Sequence, residues 1–160
     1  MPSTYTPIAT STMGSNTSSV TFSSISGTYT DLVLVVAGTL TTGTDNIVMQ
    51  FNGDTGNNYS VTSLLGDGSS ASSFRSSNIA SAGRCAMGTS SSSAIYSINN
   101  YSNATTYKTV IGRGGMASYG VDARVSLWRN TAAITSIVVF PTTYQFATGC
   151  VLTLYGIKAA

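Results

Sequence analysis

The side chains able to do chemistry are few. Asp31, Asp45, Asp54, Asp67 and Asp122 are the whole acidic complement, and the chain has no Glu and no His. Glycoside hydrolysis needs two carboxyl groups placed across a glycosidic bond. Each of these five falls at an expected turn or strand edge, where Asp caps backbone amides, and that structural role is preferred for all of them. Without His, the Ser-His-Asp and Cys-His nucleophile arrangements and His-bound metal centres have no base or ligand. Cys85 has no evident base, and Lys108 and Lys158 stand in no Ser-Lys motif. Gly112-Arg113-Gly114-Gly115 lacks the Lys-Ser/Thr that completes a phosphate loop and reads as a strand-end turn. The stretch Asn52-Gly53-Asp54-Thr55-Gly56-Asn57-Asn58 crowds side-chain oxygens, but Asp54 is its one carboxylate. Calcium usually takes several, so a hairpin turn is preferred there. The reading is of a chain with no catalytic residue, no cofactor and no metal.

Binding chemistry is better represented. Tyr59, Tyr101, Tyr107, Tyr119, Tyr144 and Trp128 lie near expected turns or on the polar face of an expected strand. Such residues either stack on sugars or pack into interfaces and core rims. For Trp128, beside Arg129, packing or an interface is preferred to a glycan site. Trp128, Arg129, Tyr59, Tyr101, Tyr119 and Tyr144 are therefore the candidate binding or interface residues.

Composition bounds the partners. In 160 residues only 8% are charged and the net charge is +2, while Ser and Thr number 26 and 24. There is no basic stripe for nucleic acid, no acidic tail and no charged heptad helix. With 42% hydrophobic residues the chain can offset its conformational entropy, so disorder is not expected. Residues 1–16 carry neither a cation nor an apolar core, so no secretory leader is expected. The longest apolar run, residues 32–37, is far short of the ~20 that a membrane helix needs, so no membrane partner is expected. Cys85 and Cys150 are read as thiols in preference to a disulfide, with their redox state left open.

The elements that must position these residues read as strands. No window shows amphipathic-helix spacing, whereas short runs rich in Val, Ile, Thr and Tyr recur between turn clusters. About nine strands are expected, near residues 19–25, 31–40, 46–51, 59–65, 94–100, 107–113, 121–129, 134–140 and 150–157. Together they describe an all-β sandwich or barrel with no helix longer than two turns. In the 121–129 strand, alternation separates Val121, Ala123, Val125 and Leu127 from Asp122, Arg124, Ser126 and Trp128, and the first set is assigned to the core. Val33, Val35, Val125, Leu127, Val139, Leu152 and Leu154 are expected core residues. Residues 32–37 and 134–140 look apolar on both faces, which places them under a second layer or in a subunit interface. Residues 69–93 hold 11 Ser and read as a long flexible surface loop in preference to an arm ordered by a neighbour. The domain division is an extended N-terminal arm, residues 1–17, and a single body, residues 18–160.

Three segments together carry a family likeness: Phe51-Asn52-Gly53-Asp54-Thr55-Gly56-Asn57-Asn58-Tyr59-Ser60, Leu127-Trp128-Arg129-Asn130-Thr131-Ala132-Ala133-Ile134-Thr135-Ser136-Ile137, and Leu152-Thr153-Leu154-Tyr155-Gly156-Ile157-Lys158-Ala159-Ala160. They resemble a family of small β-rich virion surface proteins of tailed bacteriophages, often those of aquatic and cyanobacterial hosts, and the likeness covers residues 19–160. The resemblance implies a jelly-roll-like β-sandwich and transfers no catalytic residue. Family members occur as tail-fibre modules and as short free-standing proteins. A tail attachment and a shaft are not expected to fit in the residues before Ser19. The expectation is thus a capsid decoration (cement) protein on the virion surface, made in the host cytoplasm. It is expected to be a homo-oligomer, most simply a trimer, bound to the major capsid protein. A tail-fibre or tail-tip protein that binds a host receptor or glycan is the alternative, and a carbohydrate-binding module unrelated to phage is a third reading.

Overall fold

A computed structural model describes residues 4–158 of the chain. Among them are twelve strands and no helix: β1 (Tyr5–Thr12), β2 (Val20–Phe22), β3 (Asp31–Gly38), β4 (Thr44–Phe51), β5 (Tyr59–Gly66), β6 (Ala71–Ile79), β7 (Ala82–Gly88), β8 (Ser92–Asn99), β9 (Lys108–Met116), β10 (Gly120–Trp128), β11 (Ile137–Pro141) and β12 (Val151–Ile157). They form two antiparallel sheets, an all-β sandwich. The large sheet has the order β1-β12-β3-β8-β9-β10-β5-β6, and the small sheet β2-β11-β4-β7.

The core lies between the sheets. Alternation in β3 and β12 sends Leu32, Leu34, Val36, Leu152 and Leu154 inward, where they meet Ile47, Met49, Phe51, Ile137 and Val139 of the small sheet. Val139, Leu152 and Leu154 are buried as expected. Val33 and Val35 are not core: they sit half-buried on the outer face of the large sheet.

All nine expected strands are present, and three more were missed. The expected loop at residues 69–93 is instead β6, β7 and the start of β8. β6 is held to β5 by backbone pairing from Tyr59↔Ile79 to Gly66↔Ala71, and its side chains are mostly exposed on both faces. Ser-rich edge strands of this kind leave no hydrophobic period to read. In β7, Ala82, Cys85 and Met87 are buried, but the register slips between Ile47 and Val48 of β4. Arg84, with φ of 71°, occupies that bulge and breaks the alternation. Residues 5–12 of the expected arm form the edge strand β1, paired with β12 from Tyr5↔Ile157 to Thr12↔Val151, while residues 1–3 lie outside the described residues. Beyond β1, Met13 is buried and its amide donates to the Cys150 carbonyl at 2.8 Å.

Candidate functional site

The face assignment of β10 is the main correction. Asp122, Arg124, Ser126 and Trp128 point inward and are buried, whereas Val121 and Val125 are 66% and 51% exposed and Leu127 is half-buried. The reason lies across the sandwich. β7 is an edge of the small sheet, and an edge strand carries amides with no strand partner. The Gly83 amide donates to Ser126 Oγ at 3.1 Å, the Ala86 amide to Asp122 Oδ2 at 2.8 Å and the Gly88 amide to Ser92 Oγ at 3.2 Å. At the bulge, Tyr96 OH accepts from the Cys85 amide at 3.3 Å and donates to the Ile47 carbonyl at 3.0 Å, filling the gap in the ladder. Polar residues on the inner face of the large sheet thus satisfy the amides of β7.

Glycine makes this seam close. Gly112-Arg113-Gly114-Gly115 is not a strand-end turn but lies within β9. A Cβ at Gly112 would sit 2.9 Å from the Tyr96 ring and 3.1 Å from Cys85 Sγ, and one at Gly114 3.0 Å from Cys85 Cβ. Interior glycines here let β7 approach β9. Burial and the charge of Asp122 push the Cys85 thiol far above its ordinary range, which disfavours the thiolate. Both cysteines are free and buried.

Arg124 completes the seam. Its Nη2 pairs with Asp122 Oδ2 at 3.2 Å, its Nη1 donates to Ser63 Oγ at 2.7 Å, and its guanidinium lies 5.0 Å from the centroid of the Phe74 ring. Asp122 Oδ1 and Arg124 Nε are buried without a hydrogen-bond partner among the described residues. Phe74, Tyr119, Leu65 and Asp45 line a cleft of about 260 Å³ beside Arg124. Burial raises the Asp45 carboxyl, but hydrogen bonds from the Thr142 hydroxyl and from the amides of Thr143, Asn46 and Tyr144 outweigh it. The carboxyl is held below its usual range.

The six candidate residues do not form one surface. Trp128, Tyr59 and Tyr101 are fully buried. Trp128 stacks on Tyr59 with ring planes 17° apart, and its Nε1 donates to Asp54 Oδ2 at 2.7 Å. Tyr59 OH accepts from the Phe51 amide at 3.1 Å and donates to the Asp54 carbonyl at 3.0 Å; burial pushes its hydroxyl up to about 12. Asp54 also accepts from the Gly56 amide and from Asn58 Nδ2, so the oxygens of this loop hold the loop itself. Burial raises the Asp54 carboxyl, and the donors Trp128, Asn58 and Gly56 outweigh it and lower it. Arg129 Nη2 reaches the Asn57 carbonyl at 2.7 Å and Asn78 Oδ1 at 2.8 Å. Tyr101 OH donates to the Ser26 carbonyl, Tyr144 is half-buried against Gly43, and Tyr119 stands exposed in the β9–β10 turn. Lys108 is buried as well, its Nζ donating to the carbonyls of Thr106 at 2.6 Å and Thr131 at 3.0 Å; desolvation lowers its ammonium.

No protein-family model matches the sequence, and no curated protein matches it.

The surface that stands apart is the outer face of the large sheet. Leu64 of β5, Val121 and Val125 of β10, and Ile111 of β9 are each at least half exposed. Val125 is in register with Ile111 on one side and Thr62 on the other, and Ala123 faces Arg113 and Leu64. The patch is therefore continuous across three strands. Sequence reasoning placed Val121 and Val125 in the core because it counted the alternating apolar positions of 121–129 as the buried face, and it assigned no face to Leu64 or Ile111. The signal that was present was the interior glycines of β9 together with Asp122 and Arg124.

Proposed function

We propose that the protein is a non-enzymatic structural subunit of a tailed-bacteriophage virion: a capsid decoration protein that binds the shell of major capsid protein as a homo-oligomer. The observation that carries this reading is the uncovered apolar outer face of the large sheet. A monomer gains nothing from Leu64, Ile111, Val121 and Val125 in water, whereas a subunit that assembles buries them. The family likeness agrees, because two of its three segments meet in the Asp54–Trp128 node and the third supplies β12.

Strand order supports a jelly-roll reading. The small sheet, β2-β11-β4-β7, alternates along the chain with β3, β8, β5 and β6 of the large sheet, the pattern of two interleaved four-stranded sheets. In that reading β9 and β10 form a hairpin inserted between β8 and β5, and β1 and β12 extend the sheet beyond β3. β10 of that hairpin is also the strand with the inverted faces.

A second reading, a tail protein that binds a host glycan, is favoured by one feature: the cleft of about 260 Å³ beside Arg124, with Phe74 and Tyr119 as exposed aromatic walls. Cryo-electron microscopy of purified particles separates the two. Density on the shell, with depleted particles losing resistance to heat, supports decoration. Density on the tail, with depleted particles failing to adsorb to cells, supports the alternative.

A further inference from the structure

We infer that the outer face of β5, β10 and β9 is the surface through which copies of this chain associate. The inference rests on the subunit reading above and names the partner of its uncovered face. Outward positions on these strands are Ser60, Thr62, Leu64 and Gly66; Val121, Ala123, Val125 and Leu127; and Thr109, Ile111, Arg113 and Gly115. Arg113 is the one charge among them. A charged partner surface laid on this strip would bury its charges unpaired, at high cost. An identical strip brings only Arg113, whose long stem can carry its head to the rim.

Size and shape point the same way. At about 4.8 Å between strands and about 3.3 Å per residue, the three-strand strip measures roughly 14 by 25 Å, and the outward Ile95 of β8 with Val33 and Val35 of β3 carry it across two more strands to roughly 24 by 25 Å. That is on the order of the ~800 Å² per partner that a stable interface uses. The surface most complementary to a twisted sheet is another sheet of the same twist, which is how the inner face already meets the small sheet. A further copy of the chain supplies that surface by symmetry.

Sedimentation or light scattering of the full chain, with no capsid present, tests this. A strip laid face to face on its identical copy closes about a two-fold axis, so the wild-type mass is expected to be that of two chains. Val125→Lys and Ile111→Lys are expected to fall to the mass of one chain with unchanged far-UV circular dichroism. Thr21→Lys, an exposed position on β2 of the other sheet, is expected to keep the wild-type mass. If either lysine variant fails to fold, Val125→Thr keeps the side-chain shape and is expected to weaken association about tenfold, equivalent to about 1.4 kcal/mol. A single-chain wild-type mass at micromolar concentration overturns the inference, as does a wild-type mass that persists in the Val125 and Ile111 variants. A two-chain mass that is lost in those variants supports the inference and overturns the trimer expected from the sequence. Shell binding is read separately on particles, so failure of the decoration reading leaves this result standing.

Discussion

The large sheet has two ends that treat the same alternation in opposite ways. Under β3 and β12 the apolar set, Leu32, Leu34, Val36, Leu152 and Leu154, faces inward onto β4 and β11, the middle strands of the small sheet, whose backbone groups are already paired. Under β10 the polar set faces inward, because the strand across from it is β7, an edge whose amides need acceptors. Alternation reports that two faces differ. Which face is buried depends on what the opposing layer lacks, and here the buried Asp122 and Ser126 supply the acceptors while Arg124 pairs with Asp122. The apolar set of β10 is left outside, so the seam that closes the sandwich also creates the surface proposed for assembly.

The largest expected effect breaks the polar end. Arg124→Ala leaves the Asp122 carboxylate buried without its ion pair and exposes the Phe74 ring, and a loss of about 3–5 kcal/mol in urea unfolding is expected. Leu154→Ala at the apolar end removes a fully buried side chain and is expected to cost about 3 kcal/mol by the same measurement. Truncation at either end is thus expected to cost a comparable amount, by a stranded charge at one and a cavity at the other. Gly112→Ala sharpens the contrast: its Cβ meets Tyr96 and Cys85, and a cost of about 1–3 kcal/mol is expected, read as a lowered melting temperature.

Acid gives the smallest effect. Asp45 and Asp54 are held below the usual carboxylate range by their donors, so the folded state binds these protons less readily than the unfolded chain does. Their contribution is complete above the unfolded value of about 4 and is lost as pH falls through their lower folded values. Urea midpoints are expected to be flat above about pH 5 and to fall below about pH 4. Asp54→Asn is expected to shallow that fall.

How much of this was legible follows from where the signal lies. Strands β3, β4 and β12 were readable because one or both faces are apolar and their turns are marked by Gly, Asn and Asp. The all-β class followed from them. β1 and β6 are edge strands held by backbone pairing, with Ser, Thr and Pro side chains that show no period. β7 was hidden by the bulge at Arg84. Among the candidate residues, Trp128 was read as packing or an interface, and it is packed. Its partner Asp54 was read as a turn residue, and it also accepts the indole proton. Tyr101 lies in the core, and nothing local in its Asn100-Tyr101-Ser102 context distinguishes it from Tyr119, which is exposed. That difference is set by the long-range contact with Ser26.

β10 buries its polar face and exposes its valines. Urea unfolding of Asp122→Ala and Val125→Ala, at a dilution where each chain is alone, tests this directly. A loss of about 3–5 kcal/mol is expected for Asp122→Ala, which strands Arg124 and the Ala86 amide. For Val125→Ala a loss of less than about 1 kcal/mol is expected, as for an exposed strand position. A loss of about 2 kcal/mol or more for Val125→Ala, with Asp122→Ala near neutral, would mean that the opposite face is buried and would contradict the account.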